Sequence, residues 1–239
     1  MAAVTLLSTR NLNRKFGGLT AVSKVDFDLP EGEIRALIGP NGAGKTTFVS
    51  MLCGRIEATS GTITFQERDV TDLPAHKRIS LGIAYTFQIT SIFANLSVFE
   101  NVALAVQRRL GKAGSELTAQ SNQALEQVGL LERAEQISGD LAYGHQRLLE
   151  IAMGLGQKPK LLILDEPTQG LSDGEIEEFK ALIRKVSKDT TILLIEHNID
   201  VVMALADRIT VLNFGEIIAE GTPAEISANA AVQTAYLGG

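Results

Sequence analysis

The run Gly39-Pro40-Asn41-Gly42-Ala43-Gly44-Lys45-Thr46 has the residue types and spacing to hold phosphate. Glycines let consecutive amides curl around phosphate oxygens, and a helix starting at the end of such a loop turns its positive end toward the same anion. Lys45 is then placed to reach the β- and γ-phosphates of a nucleotide, Thr46 to ligate magnesium, and Thr47 closes the contacting stretch. Much later in the chain, Leu161-Leu162-Ile163-Leu164 ends in Asp165-Glu166. One acid at the end of a buried strand, Asp165, can hold the magnesium that bridges the phosphates. A second, Glu166, can orient and deprotonate an attacking water. Strands often end in solvated acids, so the pair alone is a weak sign. Beside a phosphate-binding loop it points to nucleotide chemistry.

Such residues need rigid elements to carry them. Val25, Phe27 and Leu29 alternate with Lys24, Asp26 and Asp28, the pattern of a half-buried strand, and Pro30-Glu31-Gly32-Glu33 turns the chain. Ile34 to Ile38 is a mostly apolar strand that runs into Gly39, and Gly61 to Phe65 is another short strand. From about Ser97 to Gly156 the pattern is helical and free of proline, with Leu117, Leu125, Val128 and Leu131 on one face. The last third alternates strands with helices. Leu161 to Leu164 and Thr191 to Ile195 read as buried strands, and Ile209 to Leu212 and Ile217 to Ala219 as strands joined by a turn. Capping boxes at Ser172-Asp173-Gly174-Glu175 and Thr222-Pro223-Ala224-Glu225 open helices. Ile176, Phe179, Leu182, Ile183 and Val186 stripe the first of these. Ile199, Val202, Met203 and Ala206 stripe the helix that follows the Thr191 strand. Strands alternating with helices imply an α/β class with a largely parallel sheet.

Composition narrows the function classes. The chain has 239 residues, 45% of them hydrophobic, which suffices for a sizeable core. Its formal charge of −6 argues against a nucleic-acid partner, which needs a basic face. The single cysteine, Cys53, sits in an apolar run and reads as a small core residue. The N-terminal stretch lacks the order of a signal peptide, and no apolar run is long enough to cross a bilayer.

Five further elements appear in a fixed order. Leu141-Ala142-Tyr143-Gly144-His145 precedes an apolar helix and resembles the signature motif of the ATP-binding cassette family, whose usual form is Leu-Ser-Gly-Gly-Gln. Gln88 resembles that family's glutamine loop, and His197 its switch histidine. Gly170-Leu171-Ser172-Asp173 resembles its loop at the dimer interface, and Phe16 takes the place of the aromatic that stacks on adenine. The resemblance runs over nearly the whole chain. It implies a P-loop NTPase core with a mostly parallel sheet, an N-terminal antiparallel β subdomain and a helical insertion. The core would be residues 1–88 and 159–239, and the helical subdomain 89–158, within one ATPase domain.

The same resemblance implies ATP and Mg2+ as cofactors. Lys45, Gln88, Glu166 and His197 would act in hydrolysis, and Thr46, Gln88 and Asp165 at the metal. It further implies a head-to-tail dimer, in which Leu141 to His145 serve the ATP of a second ATPase subunit. Two membrane permease subunits would be partners, with a substrate-binding protein engaged indirectly and motion passing through the region of Ile89 to Asn101. The chain would then lie in the cytoplasm, peripheral to the inner face of the membrane. Arg14 to Val22, Glu196-His197-Asn198 and the closing Ala235-Tyr236-Leu237-Gly238 look like the first of two ATPase subunits in branched-chain amino acid importers. The urea-importer and lipopolysaccharide-export ATPases are similar, and the alternative of another class is a soluble cassette protein acting on nucleic acid or the ribosome. Two positions depart from the family: Ala142 stands where serine is usual, and His145 where glutamine is usual.

Overall fold

The computed structural model describes residues 4–86, 91–111 and 113–237. In chain order the first elements are β1 (Thr5–Phe16), β2 (Leu19–Pro30), β3 (Ile34–Ile38), α1 (Lys45–Leu52), β4 (Ser60–Phe65), β5 (Arg68–Asp69), α2 (Ala75–Leu81) and β6 (Ile83–Thr86). A helical stretch follows, with α3 (Val98–Leu110), α4 (Ser115–Gln127) and α5 (Tyr143–Gly156). The remainder is β7 (Leu161–Asp165), α6 (Asp173–Val186), β8 (Thr191–Ile195), α7 (Ile199–Leu205), β9 (Arg208–Asn213), β10 (Glu216–Gly221), α8 (Pro223–Ser227) and α9 (Ala230–Leu237).

Two sheets result. One has four strands in the order β2-β1-β4-β5, paired antiparallel throughout. The other has six, in the order β10-β9-β3-β8-β7-β6, and is parallel except for β10 against β9. The strands of the parallel sheet have near-continuous apolar runs because both of its faces are covered. Leu161, Ile163, Leu193 and Ile195 pack against α1 and the antiparallel sheet, and Leu162, Leu164, Ile192 and Leu194 pack toward α3 to α6. A third cluster joins Ala36, Ile38 and Val211 to Val202 of α7 and Ile226 of α8. The expected architecture is therefore present, and Cys53 is a buried core thiol that burial pushes up to about 12.

Local readings differ from the structure in a few places. Leu131 is 38% exposed in a 3-10 turn after α4, and Ser121 and Ala124 complete the buried face instead. On α7 the buried residues are Val201, Val202 and Leu205, while Ile199 and Met203 are exposed. Asn198 caps that helix through Asp200 and Val201, so the helix begins rotated from the assumed stripe. The short elements α2 and β6 carry too few residues to show a period, and they escape a pattern reading.

One buried cation holds α1 in place. Arg78 is 2% exposed and donates to the carbonyl oxygens of Met51 (2.7 Å), Leu52 (2.9 Å), Thr71 (2.8 Å) and Leu73 (2.8 Å). Its guanidinium thereby satisfies the carbonyl end of α1, where a positive charge also suits the helix dipole. We expect Arg78→Met to cost about 3 kcal/mol of unfolding free energy, since charge-assisted bonds are lost and buried carbonyls orphaned. Urea denaturation measures it, and a loss under about 1 kcal/mol would mean water replaces the guanidinium at no net cost.

Candidate functional site

The chain leaves β3 at Ile38 and enters the glycine loop before α1 begins at Lys45. Glycine is required twice by close approach. A Cβ at Gly39 (φ 157°) would lie 2.1 Å from the Leu212 carbonyl oxygen, and one at Gly44 (φ 100°) 2.3 Å from that of Ala21. The loop is braced from outside as well. The Gly215 N–H donates to the Ala43 carbonyl at 2.9 Å, and the Gly215 carbonyl accepts from the Ser23 N–H at 2.8 Å. No side chain caps the start of α1 and no acid lies in its first turn. Its leading amides are left to an anion.

Lys45 folds over this loop, its Nζ donating to the carbonyls of Gly39 (2.6 Å) and Pro40 (3.1 Å). Burial lowers its pKa, while Glu166 and Asp165 favour the charged form. The two acids arrive from β7. Asp165 is 2% exposed and accepts a hydrogen bond from the Tyr85 hydroxyl of β6 at 2.6 Å. Burial raises its carboxyl, the Tyr85 bond pulls it down, and the Glu166 charge raises it again. Burial and the bond to Asp165 push the Tyr85 phenol far up, so it stays a donor.

Glu166 adopts φ 48°, a left-handed conformation that costs a non-glycine residue roughly 1 kcal/mol. Its N–H is fixed on the Ile195 carbonyl at 2.9 Å. His197, just past β8, places Nδ1 at 3.9 Å from Glu166 Oε2, with its side chain 60% exposed.

An open cleft of about 480 Å³ unites Asn41 to Thr47 with Glu166, Phe16, Leu19 and Phe214. The Arg14 guanidinium covers one face of the Phe16 ring at 4.5 Å from its centroid, yet Phe16 is still 44% exposed. A base stacked on Phe16 would complete a cation–ring–base column. The structure thus gathers Phe16, the loop, Lys45, Thr46, Thr47 and Glu166, with Asp165 and His197 beside them. Gln88 lies outside the described residues. Sequence reading missed Phe214, 85% exposed at a hairpin turn, because only the fold brings β9–β10 against the loop. It also missed Tyr85 and Glu196, which reach the site's backbone and acids rather than the cleft.

Leu141 to His145 lie elsewhere. Gly144, His145, Leu171, Glu175 and Phe179 line a separate small hollow. Leu141 is buried and anchors the start of α5. Ala142 is the N-cap of α5 with no side-chain oxygen to offer, and Tyr143 packs its ring near Gly170. A Cβ on Gly144 would fall 2.1 Å from Glu175 Oε1, so a side chain there would push the Glu175 carboxylate aside. None of these residues lines the cleft.

The uncapped start of α5 is testable. Ala142→Ser should add about 1 kcal/mol of stability by capping a free amide. Thermal denaturation reads it, and an unchanged midpoint would mean that the α5 start cannot take a side-chain acceptor.

A family model described as "ABC transporter" matches residues 22–169, and one described as "Branched-chain amino acid ATP-binding cassette transporter" matches residues 216–239. The chain is 43% identical to the high-affinity branched-chain amino acid transport ATP-binding protein LivG of Salmonella typhimurium, over 98% of each chain. It is 40% identical to BraF of Pseudomonas aeruginosa over 98% of each. It is 33% identical to the lipopolysaccharide export system ATP-binding protein LptB of Escherichia coli K12 over 97% of each. Among solved structures, the ADP conformation of MJ1267, an ATP-binding cassette of an ABC transporter, superposes with a TM-score of 0.89 at 26% identity, covering 99% of this chain and 100% of that one. With more than half of its length matched by the family model and its relatives covered almost end to end, the chain belongs to the ABC transporter family, as an ATP-binding cassette subunit.

Proposed function

We propose that this chain binds MgATP in the cleft between Phe16 and Glu166 and hydrolyses it to drive a membrane importer of branched-chain amino acids. One observation carries the reading: Lys45 and the strained Glu166 face one cleft with the uncapped start of α1. The substrate follows from relatives, since LivG and BraF, at 43% and 40% identity, are named for branched-chain amino acid transport. LptB, named for lipopolysaccharide export, is more distant at 33%.

In this mechanism the α1 amides and Lys45 take the β- and γ-phosphates, with Lys45 leaving its carbonyl partners for the stronger charge pair. Glu166 accepts a proton from a water as its oxygen attacks the γ-phosphorus. The bond from that phosphorus to the bridging oxygen breaks and ADP leaves with the electron pair. His197 stands beside Glu166 to contact the γ-phosphate and keep the water in line. Among the described residues no group of three or more His, Cys, Asp or Glu is arranged to hold a metal alone. Magnesium takes one or two protein oxygens and fills its shell with water and phosphate. Asp165 and Thr46 would hold it, with Gln88 a further candidate; bound there, it neutralises charge on the transferred phosphoryl.

The signature residues act, in this reading, on the nucleotide of a second ATPase subunit. Permease subunits would seat a cytoplasmic segment in a groove of about 250 Å³ between α2 and β6 on one side and α3 and α5 on the other. Ala75, Ile79, Ile83, Ala105 and Met153 line it, and Ser91 borders it. Among the described residues no helix is long and apolar enough to cross a membrane; beside such permeases the chain would lie peripheral to the membrane, on its cytoplasmic face.

Two variants separate binding from chemistry. Lys45→Ala should weaken ATP binding at least tenfold by calorimetry, since a charge that pairs with phosphate is removed. Glu166→Gln should keep ATP affinity and slow hydrolysis by about a hundredfold or more, because the amide cannot accept the water's proton. Turnover near the wild-type rate in Glu166→Gln would remove Glu166 from the chemistry.

A further inference from the structure

Glu196 is 1% exposed and ends no surface patch. Its carboxylate accepts four hydrogen bonds from two separate loops. Oε1 takes the Thr168 N–H at 3.0 Å and the Thr168 hydroxyl at 2.5 Å, and Oε2 takes the N–H groups of His197 at 3.0 Å and Asn198 at 3.1 Å. An ionised carboxylate is the side chain that offers two oxygens as acceptors and donates nothing. Glutamine in its place would aim an NH₂ at one pair of donors. The desolvation of a buried carboxylate is offset only when such bonds are complete.

Each loop carries a residue of the site. Thr168 lies just after Glu166, and the Gln169 N–H donates to the Glu166 carbonyl at 3.2 Å, closing a tight turn. Leu171 donates to the Thr168 carbonyl at 3.2 Å, so the same turn starts the Gly170 to Asp173 segment. On the other side, the His197 backbone is gripped by Glu196 while the Asn198 side chain caps α7. The His197 side chain projects from a fixed backbone to 3.9 Å from Glu166.

We propose that Glu196 is a positioning residue for hydrolysis: it staples the turn that aims Glu166 to the loop that aims His197, so that the two side chains meet the γ-phosphate in register. The inference rests on the hydrolytic reading above, and it goes beyond it by assigning a role to a residue that touches no nucleotide. Glu196 lies off the cleft lining, so its loss should leave binding intact and misplace the attacking water.

The test uses the full-length chain, measuring steady-state ATP hydrolysis and ADP affinity by calorimetry in Glu196→Gln and Thr168→Val. Glu196→Gln should lower kcat about tenfold or more with ADP affinity held within about threefold, as expected when geometry rather than binding is lost. Thr168→Val removes one donor and leaves the carboxylate in place, so it should lower kcat less and in the same direction. The chain has 3 histidines, His76, His145 and His197, so their ring signals resolve by NMR. Both variants should shift the His197 ring and leave His76, on α2, unmoved. Unchanged kcat in both variants, an equal loss of ADP affinity, or an unmoved His197 ring would each overturn the proposal. If Glu166→Gln hydrolyses ATP normally, the hydrolytic reading falls by itself, and the His197 ring shift still reports on the staple.

Discussion

Parallel pairing of β3, β8 and β7 is the constraint on which the site depends. Leu37 sits opposite Ile195, and Ile195 opposite Asp165, so three strands end at one level. The glycine loop follows the first, His197 follows the second, and Glu166 follows the third. Residues far apart in sequence are thereby gathered at the carboxyl edge of the sheet, where ligands of open α/β sheets bind. The helices that cover both faces exist to bury those strands, and α1 does double duty. Its apolar side, with Phe48 edge-on to Phe27 at 5.5 Å, joins the two sheets, while its start, which no side chain caps, opens on the cleft.

Much of this was legible in the sequence because it is local. The glycine loop, the strand ending in Asp165-Glu166 and both capping boxes are short strings whose chemistry is fixed by neighbouring residues. The capping boxes at Ser172 and Thr222 form as read. What stayed hidden is non-local. The need for glycine at Gly39 and Gly44 is set by the carbonyls of Leu212 and Ala21, which come from other strands. Arg78 reads as an ordinary helix cation until α1 and the Thr71 segment bring carbonyls around it. The α7 stripe went astray because Asn198 decides where that helix starts, and a shift of one position moves Ile199 and Met203 outward. The sites of Gln88 and of the segment's neighbours at 87–90 lie outside the described residues.

Positive φ also occurs away from the site, at Asn11, Lys24, Gln66, Glu67 and Lys158, but two such residues face the cleft. Glu166 at φ 48° and Phe214 at φ 46° are held in a conformation that side chains avoid, and both face the cleft. A left-handed Glu166 persists only because its surroundings over-determine it: its own N–H on Ile195, the turn through Gln169, and the Thr168 anchor. That rigidity has a chemical use. A base held before substrate arrives loses little further freedom at the moment of proton transfer.

The helical stretch is braced internally by its own buried polar groups. On α5, Arg147 pairs with Glu150 at 3.0 Å, both nearly buried, and Glu150 accepts the Ser91 N–H at 2.5 Å. Burial raises the Glu150 carboxyl, and the bonds from Ser91 and Arg147 hold it down. Ser91 closely follows Gln88 in the chain, and α5 begins with Ala142 to His145. One helix therefore starts at Ala142 to His145 and, further along, holds the Ser91 backbone through Glu150. The groove lined by Ala105 and Met153 lies between the same elements. The groove, Ser91 and the start of α5 thus share a single ion-paired helix.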